Sequence, residues 1–214
     1  MATVAVVDYG MGNLHSIAKA LQRVEAGLRV AVTDDAVEIG RAERVVFPGV
    51  GAIRDCMGAL HERRLTDALR EAAASKPFLG ICLGMQALLE TSEENGGTPC
   101  LGILPGKVVR FAADLRDAAG ERLKIPHMGW NEVHRAHEHP LWRGIAQDSR
   151  FYFVHSYYAQ PADAQHVAAT STYPAPFACA LARGNLFAVQ FHPEKSQQAG
   201  LKLLENFLAW DGGA

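Results

Sequence analysis

Two short stretches of this chain carry residue types that could do chemistry together: Gly80-Ile81-Cys82-Leu83-Gly84 and His192-Pro193-Glu194. The first places a cysteine between small residues, after an apolar run (77–81) and before a helix-favouring run (83–90). A strand, a strained turn and a helix form a nucleophile elbow, with the reactive side chain at the apex. Glycines flank such a cysteine because the backbones crowd there, and a helix N-terminus favours the thiolate. A nucleophile of this kind needs a base, and the base needs an orienting group. His192 and Glu194 supply both types two residues apart. Pro193 biases His192 toward an extended conformation, and continued extension would put both side chains on one face. The carboxylate would then fix the imidazole tautomer and stabilise the imidazolium.

Pro48-Gly49-Val50-Gly51 also stands between a strand and a helix. Its backbone N–H groups, with that of Leu83, could stabilise an oxyanion. Asp8-Tyr9-Gly10-Met11-Gly12-Asn13 resembles half of a dinucleotide fingerprint, with Asp34 at ribose distance. The third glycine, however, would fall at His15, where a side chain would obstruct helix–strand packing. No nucleotide cofactor is expected. His134, His137 and His139 form an H-x-x-H-x-H pattern, but the segment is polar and ends in Pro140. It reads as a solvated loop rather than a metal site.

The elements that would position these residues alternate through the first half. Strands are expected at 3–8, 28–33, 44–47 and 77–81, and helices at 14–24 and, in two pieces, across 55–74. Continuously apolar strands joined by helices predict an α/β fold, a mostly parallel sheet covered on both faces. Asp8, Gly49 and Cys82 all fall at carboxyl ends of strands, where such sheets bind ligands. The second half reads as strands at 102–111, 123–125, 151–158, 166–171, 177–182 and 186–191, with few helices. These predict antiparallel additions or a small second sheet, closed by a helix over 197–210. No repeat or linker divides residues 1–214, so one domain is expected.

Composition sets limits on function. The chain is 49% hydrophobic and 21% charged, with a formal net charge of -2. No broad basic surface is implied, so nucleic acid is not an expected partner. No apolar run reaches the ~18 residues of a membrane helix, and no basic region precedes the first apolar run as in a signal peptide. Four cysteines (56, 82, 100 and 179) without close pairs suit a reducing cytoplasm. Cys56, Cys100 and Cys179 read as small hydrophobes, and the three tryptophans as packing residues.

Taken together, these stretches resemble the class I (triad) glutamine amidotransferases, whose fold is flavodoxin-like. Two more, Pro126-His127-Met128-Gly129-Trp130-Asn131 and Phe153-Val154-His155-Ser156-Tyr157, with Tyr9-Gly10-Met11-Gly12-Asn13-Leu14, resemble the glutaminase subunits of imidazole glycerol phosphate synthase. The resemblance spans nearly the whole chain. Its one departure is Met11, where many relatives carry proline. It implies that Cys82 attacks the amide of L-glutamine, His192 is base and then acid, and Glu194 orients it. It implies oxyanion or substrate contacts at Gly49, Val50, Gly51, Leu83, Gln86, His155, Ser156 and Tyr157. It also implies a (β/α)8-barrel cyclase partner, meeting Asn13, Trp130, Tyr152 and Lys195 and receiving the ammonia. No cofactor or metal is implied. The alternatives are a glutaminase of pyridoxal phosphate synthesis, a γ-glutamyl peptidase, or a docking subunit without activity.

Overall fold

Apolar residues dominate the first strands, and the central strands alternate between two hydrophobic layers. The computed structural model describes residues 3–213. Strand β1 (Thr3–Val7) leads to helix α1 (Leu14–Val24), β2 (Arg29–Thr33), α2 (Ala36–Arg41) and β3 (Arg44–Gly49). Two helices, α3 (Ile53–Glu62) and α4 (Thr66–Ser75), then precede β4 (Phe78–Cys82) and the short α5 (Leu83–Ala87). Val4, Val6, Val46, Leu79 and Ile81 pack into one layer with Ile17 and Leu21 of α1. Ala5, Val7, Val45, Phe47 and Phe78 pack into the other with Ile39, Ile53, Leu60 and Leu69. Burial on both faces explains why these strands carry apolar residues continuously rather than at every second position.

The rest of the chain adds β5 (Thr91–Ser92), β6 (Thr98–Pro99), β7 (Gly106–Arg110), β8 (His127–Arg135), β9 (Ser149–His155) and β10 (Tyr157–Pro161). Then follow β11 (Val167–Thr172), β12 (Pro176–Arg183), β13 (Leu186–Val189) and the closing helix α6 (Gln197–Ala209). The sheet runs β2-β1-β3-β4-β13-β12-β10-β7-β5-β6, with β11 joining β12 to β8, and β9 beyond β8. The first five strands of this order are parallel. The β12, β10 and β7 additions are antiparallel. Helix α6 lays Leu204 and Phe207 in the same layer as α1.

Several boundaries differ from the sequence reading. The helix expected over 83–90 ends at Ala87. The carbonyls of Ala87, Leu88 and Leu89 accept N–H groups from Leu101, Gly102, Ile103 and Leu104 instead of continuing the helix. That loop accounts for the first half of the strand expected over 102–111. Residues 123–125 form no strand; the Lys124 carbonyl accepts the Tyr173 hydroxyl. The strand expected over 151–158 is two strands broken at Ser156, one pairing with β8 and the other with β7. The histidine-rich segment is not all loop. His134 lies within β8 beside Asp148. His139 accepts the Leu141 N–H and packs on Phe187 and Trp210. No cluster suited to a metal occurs among the described residues. Among them, too, no helix is long and apolar enough to cross a membrane.

Candidate active site

Strand register brings the distant motifs together. Gly49 of β3 lies opposite Cys82 of β4. On the other side of β4, Val189 of β13 lies opposite Ile81. The 49–51 loop, Cys82 and the segment after Val189 therefore emerge side by side at the carboxyl edge of the parallel strands, where ligands enter such sheets. Cys82 has φ 54°, a left-handed conformation that residues with a side chain seldom adopt. The turn is tight. A Cβ on Gly84 would strike the Phe47 carbonyl, and one on Gly49 would meet Leu83 Cβ at 2.8 Å and the Tyr9 hydroxyl. Tyr9 braces the loop from behind by donating to the Pro48 carbonyl at 3.1 Å.

His192 keeps an extended backbone, φ -103° and ψ 97°, but the extension stops there. Pro193–Lys195 is a 3-10 turn. This turn, rather than a continued strand, returns the Glu194 carboxylate to His192, with Oε1 2.9 Å from Nδ1. Both side chains are buried. The opposite ring nitrogen, Nε2, is buried and has no hydrogen-bond partner among the described residues. Burial opposes charge on this ring, but the neighbouring Cys82 and Glu194 outweigh it and push its pKa up to about 10. A base poised in this way can exchange a proton at Nε2 while Nδ1 stays held.

Cys82 and His192 line one cleft of about 290 Å³ with Val50, Gly51, Leu83, Gln86, His155, Ser156 and Tyr157. Gln86 is buried, and its amide nitrogen donates to both the Tyr157 carbonyl and Gln190 Oε1, each at 3.0 Å. The Tyr157 carbonyl also accepts from His155 Nδ1 at 2.9 Å. That bond leaves His155 Nε2 as the acceptor for His127 Nδ1 at 2.9 Å. His127 Nε2 in turn takes the Asn131 amide N–H at 3.2 Å. A broader groove of about 1060 Å³ adjoins at Pro126 and Ser156, lined by Arg110, Arg122 and Lys124. Neither Cys82 nor His192 lines it, so the smaller cleft is the one that pairs a thiol with a base for covalent chemistry.

Three of the four residues ascribed to a partner surface meet directly. Trp130 and Tyr152 lie opposite each other on β8 and β9, rings 6.1 Å apart. Lys195 Nζ sits 5.8 Å above the Tyr152 ring. Trp130 is 38% exposed, and Met128, on the same face of β8, is 62% exposed. Asn13 stands at the start of α1. Asp34, at ribose distance in the rejected dinucleotide pattern, pairs with Arg63 at 2.7 Å.

A glutamine amidotransferase class-I family model matches residues 5–210. The chain belongs to the class I glutamine amidotransferases. This amidotransferase is 68% identical over 212 residues to imidazole glycerol phosphate synthase subunit HisH of Methylococcus capsulatus, covering 99% of this chain and 98% of that one. It is 59% identical to subunit HisH 1 of Pseudomonas aeruginosa, covering 99% of each. Among solved structures, the fold is shared with PurLQS from Thermotoga maritima, with a TM-score of 0.71 and 19% identity over 97% of this chain and 98% of that one.

The sequence reading missed several residues in and behind the amidotransferase cleft. Glu94 lines it and accepts the Ile53 N–H at 2.9 Å, at the start of α3. Ser196, which is buried, donates to the His192 carbonyl at 2.6 Å and accepts the Tyr152 N–H at 3.0 Å. Gln190 approaches Cys82 itself. Gln190 lies two residues before the His-Pro-Glu stretch and Ser196 two residues after it, but spacing alone gave neither a task.

Proposed function

We propose that this chain is the glutaminase subunit of an imidazole glycerol phosphate synthase, a single domain that hydrolyses L-glutamine and passes ammonia to a cyclase subunit. The observation carrying this reading is a left-handed Cys82 sharing one cleft with His192, whose Nδ1 is held by Glu194 and whose Nε2 is unpaired. Relatives at 58–68% identity, named as subunits of imidazole glycerol phosphate synthase, support the choice of synthase.

In this reading the Cys82 thiolate attacks the side-chain carbonyl carbon of glutamine. The negative charge that develops on oxygen is met by the N–H groups of Val50 and Leu83. His192 Nε2 gives its proton to the departing nitrogen, the C–N bond breaks, and ammonia leaves. A γ-glutamyl thioester remains. His192, now neutral, takes a proton from water as the water attacks. The C–S bond breaks, and glutamate and the thiolate are restored. Glu194 holds the ring tautomer throughout. Both amide hydrogens of Gln86 are committed, so its carbonyl oxygen is the group free to accept the α-ammonium of glutamine. Gly49, Gly51, His155, Ser156 and Tyr157 shape the remainder. This route calls for no cofactor or metal.

The cyclase, a (β/α)8 barrel, docks on Asn13, Trp130, Tyr152 and Lys195. The four free cysteines suit a reducing cytoplasm. A glutaminase without its acceptor wastes glutamine, so the Gly49–Gly51 loop is set for catalysis only when partner and nucleotide are bound, a population shift. The test is glutamate release from glutamine, with and without the cyclase and its nucleotide. Strong stimulation in the full mixture is expected. Full activity of the isolated chain would overturn gating, and no glutamate in any mixture would overturn the glutaminase reading.

A further inference from the structure

Gln190 has no task in the scheme above, yet it is 0% exposed and its amide nitrogen lies 3.7 Å from Cys82 Sγ. An amide can face either way, so its orientation must follow from its neighbours. Here a single carbonyl decides it. The Tyr157 carbonyl can only accept, so Gln86 presents its NH2 group there. The second hydrogen of that NH2 goes to Gln190, which must accept with Oε1. Gln190 is left with only its NH2 group to face the sulfur.

We propose that Gln190 is a catalytic residue, whose side-chain N–H donates to Cys82 Sγ and holds it as the thiolate. The assignment rests on the reading of Cys82 as nucleophile. A neutral thiol is a weak acceptor, whereas a thiolate makes a charge-assisted hydrogen bond, so a fixed donor favours the ionised form. The site is buried, which strengthens such a bond relative to water. His192 contributes positive charge to the same site, and Gln190 contributes a donor that carries no proton to lose. The donor acts twice. It stabilises the thiolate before attack, goes without its charged partner while the sulfur is acylated, and stabilises the thiolate again as it departs from the thioester.

The deciding experiment follows the pH dependence of iodoacetamide alkylation in the full-length protein, with Cys82→Ala as blank. The other thiols interfere little near neutrality. Burial pushes Cys56 up to about 12 and Cys100 up to about 11, and raises Cys179 as well. Gln190→Glu keeps an acceptor for Gln86 but removes the donor; Gln190→Met removes both without adding charge. In Gln190→Met the Cys82 midpoint should rise by about one unit, about tenfold less thiolate at a given pH below it. The kcat for glutamine should fall about tenfold with KM within about twofold. Gln190→Glu should raise the midpoint further. Unchanged midpoints in folded variants would overturn the proposal. Should neither variant fold, the wild type decides. In 15N-glutamine-labelled protein, one side-chain amide resonance should move with the Cys82 midpoint, and none moving would overturn the proposal. Absence of glutamate release by wild type with its cyclase would instead overturn the underlying reading, leaving the alkylation profile interpretable.

Discussion

The His192 N–H donates to the Tyr152 carbonyl at 2.9 Å, so the base and a residue ascribed to the partner surface share a main-chain hydrogen bond. Ser196 closes the same loop. Its hydroxyl takes the Tyr152 N–H and gives to the His192 carbonyl. The ring of Tyr152 faces Trp130 and Lys195 while its backbone faces the base. A partner pressing on these side chains therefore acts on the strand that fixes His192.

Replacing Ser196 with alanine tests that clamp. It removes the side-chain acceptor of the part-buried Tyr152 N–H and one of the two donors to the His192 carbonyl, a loss of about 1–3 kcal/mol. Thermal unfolding should move down by about 2–4 °C per kcal/mol for a chain of this size. Partner-stimulated glutaminase activity should fall more than partner binding, as read by paired glutamate-release and calorimetric titrations.

Cys82→Ala should abolish glutamate release while leaving complex formation with the cyclase intact. The side chain lost is small and lies at the rim of a cleft, so the fold should persist by circular dichroism. Residual glutaminase activity would place the nucleophile elsewhere.

Glu194→Gln should shift the alkaline limb of the activity profile. In the native protein His192 holds its proton up to about 10. Hydrogen bonding and charge from Glu194 are among the causes that raise it, so their removal lowers the imidazolium pKa. Activity should then be lost at lower pH than in wild type, and kcat should drop by about 10²–10⁴-fold. Kinetics across pH 6 to 10.5 on both proteins provide the check.

His127 and His155 predict acid sensitivity. Burial depresses their imidazoles to about 4 and about 3. Both act as acceptors in the chain that ends on the Tyr157 carbonyl. In the unfolded chain they take protons near pH 6.5. Between pH 6.5 and about 4 the unfolded state therefore binds more protons, and stability falls as pH falls. Urea midpoints should decline as pH falls from 6.5 toward 4. His127→Gln, which removes one titrating ring, should make that decline shallower.

The local chemistry of this protein was legible in its sequence. Crowded backbone at an elbow demands Gly80 and Gly84 around Cys82. A proline between His192 and Glu194 restricts how they can meet. Strands buried on both faces must be continuously apolar, so four of the five parallel strands could be read; the fifth, β13, was expected among the antiparallel additions but runs parallel to β4, and α2 was not expected. These are constraints between residues close in the chain. Tertiary structure decided the rest. That Glu194 reaches His192 through a 3-10 turn depends on Ser196 receiving Tyr152, 44 positions away. That α5 stops after Ala87 depends on the 101–104 loop taking its carbonyls. Gln190 meets Cys82 across 108 positions, and Gln86 meets Tyr157 across 71. Buried amides and hydroxyls must find hydrogen-bond partners, but which partner each finds is set by strand register. Register between distant strands is fixed by packing of the whole sheet, and no local spacing encodes it.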